Sequence, residues 1–194
     1  MIRAFAVLCK FNSQKLSDKK ILDLCLSDSA CVNAVCPHCK SCSGHVLYSS
    51  YERTMITFSG GHRVEETISL PRIKCHCGHT HAVIPEVLIP YGSYSLRFIL
   101  IVLLRYTLRR CSVARLCDEF QISVSTLYEW IHLFIEHYNL MSGILKRISS
   151  LFAGSLTAVI NSPGYFRRFF HVFNHSFMQP FIIKTTLSGP PDVS

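Results

Sequence analysis

Apolar and polar positions divide this chain into two textures. Residues 46–74 carry short apolar runs rich in β-branched side chains, whereas residues 96–138 place apolar side chains at helical spacing. In the first stretch, Thr54-Met55-Ile56-Thr57-Phe58 runs into Ser59-Gly60-Gly61, a turn signal, and a second β-branched run follows at 64–73. The pattern predicts a hairpin. Upstream, residues 2–8 read as a short strand. Residues 17–26 read as a small helix with Ser17 as N-cap and Lys20, Ile21, Leu24 and Cys25 in helical period.

Pro85 and Pro90 interrupt the pattern, and residues 89–95 read as an interdomain hinge ending at Ser95, a cap for the next helix. The helix predicted over 96–109 is apolar on nearly all faces, which places it at the centre of a core. A second helix, Val113–Phe120, follows the cap Ser112. Gln121-Ile122 makes a turn, and Ser123 caps a third helix reaching about Tyr138. Val113, Leu116, Cys117, Phe120, Ile122, Leu127, Trp130 and Ile131 fit the buried positions of such a pair. Glycine is common in a turn of this kind, and a left-handed backbone at Gln121 costs about 1 kcal/mol. Further on, 145–160 reads as another helix, 166–181 is aromatic and basic, and Gly189-Pro190-Pro191 looks like a frayed end.

Composition adds a partner class. The 194 residues suffice for one medium domain or two small ones. A net charge of +8 and a pI near 9.1 favour a polyanion. Only 16% of residues are charged while 49% are apolar, so some apolar surface serves packing or assembly. The apolar run 98–104, flanked by Arg97 and Arg105, is far below the roughly 20 residues a membrane span needs. Met1 to Leu8 is too short for a secretory signal, so a reducing cytoplasm is the expected location.

In that compartment the ten cysteines argue for metal rather than disulfides. Cys36-Pro37-His38-Cys39 and Cys75-His76-Cys77-Gly78 lie either side of the predicted hairpin. A thiolate pair at such spacing holds one side of a tetrahedral ion, and a second pair closes the other. The expected ligands are therefore Cys36, Cys39, Cys75 and Cys77, with Zn2+ as the ion because closed thiolate sites suit it. Cys-x-Cys is tighter than the usual knuckle, so His79 or His81 in place of Cys77, or Cys42 in place of Cys39, stays open. Cys9, Cys25, Cys31, Cys111 and Cys117 have no partner at ligand spacing and read as core. His76, His79, His81 and Glu86 could furnish a catalytic metal. A structural site is the expectation, and the chain is not read as an enzyme.

The helix pair reads as a helix-turn-helix, whose second helix presents its N-terminal residues to base edges in the major groove. Here those are Val124, Ser125, Thr126, Tyr128, Glu129 and His132. Ser123 and Thr126 could also meet phosphate oxygens at the helix N-terminus. Arg109, Arg110 and Arg115 could track the backbone. Tyr128 and Glu129 are the candidates for discriminating bases.

The order of these motifs resembles a family of uncharacterised, mostly bacterial proteins, a domain of unknown function that looks related to transposases. The resemblance rests on Cys36-Pro37-His38-Cys39, on Arg72-Ile73-Lys74-Cys75 and on the run from Cys77 through Thr80-His81-Ala82 to Pro85. It continues at Pro90-Tyr91, at Tyr94-Ser95 and in the helix string ending at Trp130. It extends weakly to Phe169-Phe170 and Ser176-Phe177. It implies a zinc ribbon plus helix-turn-helix, like the DNA-binding front end of an insertion-sequence transposase, without strand transfer. A transposase nuclease needs three carboxylates to hold two metal ions, and after Glu136 the only acidic residue is Asp192.

The expected fold class is therefore α+β, a small β-rich zinc ribbon followed by an all-α helix-turn-helix domain. The expected boundaries are 1–90, 91–150 and a helical or partly ordered C-terminal tail, 151–194. The expected partner is double-stranded DNA, with a homodimer or a protein partner compatible and no membrane. The expected role is a regulator or a transposase-related accessory. The alternative is a zinc-ribbon protein-interaction module.

Overall fold

The computed structural model describes residues 2–4, 26, 35–41, 43–142, 152–162 and 164–180. The architecture is α+β, a mainly antiparallel sheet followed, among the described residues, by five helices. Strands β1 (Ile2–Ala4), β2 (Val46–Ser59), β3 (His62–Lys74) and β4 (Thr80–Pro85) stand in the order β1-β4-β3-β2, with β1 parallel to β4. Helices α1 (Leu96–Thr107), α2 (Val113–Phe120), α3 (Val124–Ser142), α4 (Phe152–Asn161) and α5 (Tyr165–Phe173) follow.

The expected hairpin is β2–β3. Its turn falls at Gly60 and Gly61, with φ of +59° and +88°, a region that glycine enters without steric cost. β4 was not expected as a strand. Of the upstream predictions, the strand is present over Ile2–Ala4, while the helix read over 17–26 lies, apart from Leu26, outside the described residues.

Strand alternation sends neighbouring side chains of β2 to opposite faces. Met55 enters a core formed with Ile68, Leu70, Ile73, Val83 and Leu88. The next residue, Ile56, enters the helical core with Phe98, Phe120, Leu127 and Trp130. One strand thus serves two cores. The helical core mixes aliphatic side chains with a connected set of aromatic rings. Tyr94 meets Trp130 edge-on with centroids 4.9 Å apart, and Phe58 at the far end of β2 lies 5.4 Å from Phe120.

The segment 89–95, read from sequence as a hinge, is tied to β2. Ile56 N–H donates to the Ser93 carbonyl and Ser95 N–H to the Ile56 carbonyl, both at 2.8 Å. The Arg53 guanidinium donates to the Ile89 carbonyl at 2.6 Å and also to the Gly92 carbonyl. Ser95 then caps α1, accepting from Phe98 N–H at 3.1 Å.

The described part of the C-terminal region folds back onto the helices. Phe177 packs against Phe134 of α3 and against Phe166 and Phe169 of α5. Buried His137 accepts a hydrogen bond at Nδ1 from Met178 N–H at 2.9 Å.

Candidate functional site

Two tight turns build the cysteine cluster. In the first, Lys40 N–H donates to the Cys36 carbonyl at 2.9 Å and Cys36 N–H to the Ser41 carbonyl at 2.8 Å. This wraps residues 36–40 into one loop, with Lys40 left-handed at φ +62°. The second turn joins β3 to β4. Gly78 N–H donates to the Cys75 carbonyl and Cys75 N–H to the His79 carbonyl, both at 2.9 Å, and Gly78 takes φ +87°. The Ile73–His81 and Lys74–Thr80 register closes that loop and explains how Cys-x-Cys works here. The strands fix both ends, so both thiols sit on a single turn.

The four sulfur atoms of Cys36, Cys39, Cys75 and Cys77 all lie within 4.8 Å of one another. Cys36 Sγ is 3.8 Å from Cys77 Sγ, and Cys39 Sγ is 3.5 Å from Cys75 Sγ. Four sulfurs each about 2.3 Å from a central ion stand about 3.8 Å apart, so the set fits a tetrahedral thiolate site. No disulfide joins any of them. His81 is buried, and its Nε2 lies 3.2 Å from Cys36 Sγ, close enough for an imidazole N–H to donate to that thiolate. Cys42 lies outside the described residues.

The electrostatics divide the thiols. Burial works to raise Cys36, but hydrogen bonds from the Cys39 and His38 backbone N–H groups, then from the Cys39 and His81 side chains, outweigh it. They hold this thiol at about 5. Burial pushes Cys75 up to about 12, and hydrogen bonds with the Cys39, Cys77 and Cys36 thiols add to the rise. At Cys75, then, burial disfavours the thiolate. A divalent ion reverses that balance by making every ligand thiolate favourable.

Glu86 is buried just beyond β4, and among the described residues it joins neither metal-type cluster. Cys117 is buried in the helical core as expected. Cys111 is half-buried beside a cleft, and Cys9, Cys25 and Cys31 lie outside the described residues.

The second candidate surface is the helical pair. Ser112 caps α2 by accepting from Arg115 N–H at 3.3 Å. Gln121 ends α2 in the left-handed region, φ 50° and ψ 52°, the conformation expected for the turn. Ser123 caps α3, accepting from Thr126 N–H at 3.0 Å, and its hydroxyl also meets those of Ser125 and Thr126 at 2.7 and 2.8 Å. Leu127, Trp130, Phe134 and His137 turn inward, while Val124, Ser125, Tyr128, Glu129 and His132 are exposed. Arg109, Arg110 and Arg115 are exposed too. Arg105, Arg109, Cys111 and Ser112 line a cleft of about 300 Å³ between α1 and α2.

Sequence reasoning missed the placement of His38. Its ring stacks on His79 with centroids 3.7 Å apart. The only local signal was a histidine between the two cysteines of the first knuckle.

Fold and site together define a mixed α+β protein with four cysteines gathered into a metal-type cluster beside an exposed helical pair. Residues 36–130, which hold the cysteine cluster, α2 and the start of α3, match a domain of unknown function (DUF6431). No curated protein and no solved structure is detectably similar to the chain. Among the described residues, no helix is long and apolar enough to cross a membrane.

Proposed function

We propose that this protein is a zinc-ribbon, helix-turn-helix protein that binds double-stranded DNA, as a regulator or a transposase-related accessory, with no chemistry of its own. The observation that carries this reading is the outward stripe of α3. Its N-terminal half buries Leu127 and Trp130 and leaves Ser125, Tyr128, Glu129 and His132 in solvent. Arg109, Arg110 and Arg115, on the segments preceding α3, are exposed as well. The four cysteines suit Zn2+ best, since all four positions of the ion are filled and none is left for substrate.

On this reading Arg109, Arg110 and Arg115 neutralise phosphates, and Ser123 and Thr126 meet phosphate oxygens at the helix start. Tyr128 and Glu129 discriminate bases, Glu129 by accepting from a cytosine amino group. α3 carries no Arg or Lys at its reading positions, so affinity is expected to come mainly from the flanking arginines. In a duplex gel-shift series across salt, Arg115→Ala should weaken binding to all sequences alike and reduce the salt slope by about 1. In a binding-site selection, Tyr128→Ala with Glu129→Ala should blunt sequence preference more than total affinity. An unchanged selected site would overturn the base-reading roles.

A second reading, a protein-interaction module, has one observation in its favour. Val46, Leu47 and Tyr48 are 60–68% exposed at the start of β2, the edge strand of the sheet. A protein that shows no duplex binding at low salt yet holds a protein partner through this edge would support it over DNA binding.

A further inference from the structure

A second cluster of ligating side chains shares one member, Cys77, with the four-cysteine centre. The ligand atoms of His38, Cys77 and His79 all lie within 4.8 Å of one another. Cys77 Sγ is 3.6 Å from His79 Nδ1. The His38 and His79 rings stack at 3.7 Å with their planes 21° apart; imidazoles that share a tetrahedral ion stand about 5 Å apart, so these exposed rings splay to bind it. An ion about 2.3 Å from a sulfur and about 2.0 Å from an imidazole nitrogen sets those two atoms about 3.5 Å apart in tetrahedral geometry. The observed separation matches. His38 and His79 are exposed and Cys77 half-exposed, so the cluster opens to solvent.

We infer that His38, His79 and Cys77 form an outer site for a second borderline-soft divalent cation, zinc foremost. The Cys77 thiolate bridges this ion to the one held by the four cysteines. The bridge rests on the four-cysteine reading above. A thiolate has lone pairs to spare after binding one ion, and Cys77 is less buried than Cys36 and Cys75. His38 sits inside the first knuckle turn and His79 at the end of the second. The convergence that gathers the thiols therefore also brings these imidazoles face to face. Both are types that ligate in the neutral form, and they suit the same class of ion as a thiolate. Three protein ligands leave the fourth position to water or an incoming ligand, so the outer ion exchanges faster than the inner one.

The test uses the full chain, stripped of metal under reducing conditions and equilibrated with buffered free zinc. Bound metal is counted by elemental mass spectrometry. The wild type should take two equivalents at high free zinc and keep one after a moderate chelator. The double variant His38→Ala with His79→Ala should take one, keep it, and retain the wild-type circular dichroism. A wild type whose single equivalent survives in the double variant, or a double variant that still takes two, overturns the outer site.

Cobalt tests the bridge. Thiolate-to-cobalt absorption should change through both equivalents in the wild type and stop at one in the double variant. A second equivalent that leaves the spectrum unaltered overturns the bridge. Failure of the four-cysteine reading looks different. It would leave a single labile equivalent that the double histidine variant loses, which supports the outer ligands while removing the inner ion.

Discussion

At the scale of single residues, two positions hold conformations or states that carry a measurable cost. Gln121 sits in the left-handed region where a side chain crowds its own backbone. Gln121→Gly should raise stability by about 0.5–1 kcal/mol, the relief of that crowding less the greater freedom of glycine when unfolded. The midpoint of urea unfolding reads this. His137 is the second. Its Nδ1 accepts from Met178 N–H, so the ring is neutral there. Burial first, and the neighbouring charge of His175 second, hold it down at about 3 against the usual 6.5. The unfolded chain therefore takes up a proton near pH 6.5 that the folded chain refuses until about pH 3. The contribution is fully present above pH 6.5 and is lost progressively as pH falls, on the order of a few kcal/mol by the acid end. His137→Gln should flatten stability between pH 7 and 5 by about one proton's worth of slope, measured by denaturant melts across that range.

At the scale of elements, the links between segments matter more than the segments. Arg53, half-buried on β2, ties down two carbonyls of the connection into α1. Arg53→Ala should cost about 2 kcal/mol by removing two charge-assisted hydrogen bonds and leaving carbonyls unsatisfied, while metal content stays unchanged. Thermal melts paired with metal analysis separate these outcomes. Elements defined by local chemistry were legible in the sequence. Gly60-Gly61 announced the hairpin, and Ser95, Ser112 and Ser123 announced three helix starts, because caps and turns depend on a few neighbouring residues. β4 was not legible. It spans six residues with a histidine near its start, and its identity comes from pairing with β3 on one side and with distant β1 on the other. The pinned 89–95 segment was read as a hinge for a related reason. Prolines and a glycine mark a break in regular structure, and nothing in them foretells Arg53 reaching across from β2.

At the scale of the whole molecule, the cysteine cluster and the helices share one scaffold. The convergence of Cys36, Cys39, Cys75 and Cys77 was legible because pairs at knuckle spacing on either side of a hairpin leave few other arrangements. The His38–His79 stack was not, since it depends on how both turns close. Trp130, the chain's single tryptophan, lies in the helical core, which contains none of Cys36, Cys39, Cys75 and Cys77, and reports on that core. If the sheet and helices unfold together through Met55 and Ile56, a strong chelator should lower the denaturant midpoint seen by Trp130 fluorescence as well as the loss of β signal. An unchanged Trp130 midpoint would mean that the two cores melt separately.

The placement of Met55 and Ile56 also constrains how such a protein can change its length. Adding a single amino acid to β2 between these residues and the cysteine end would flip every side chain beyond it, so each core would receive the other's partner. Lineages that lengthen this arm are thus expected to do so two amino acids at a time, or at the glycine tip, where parity has no meaning.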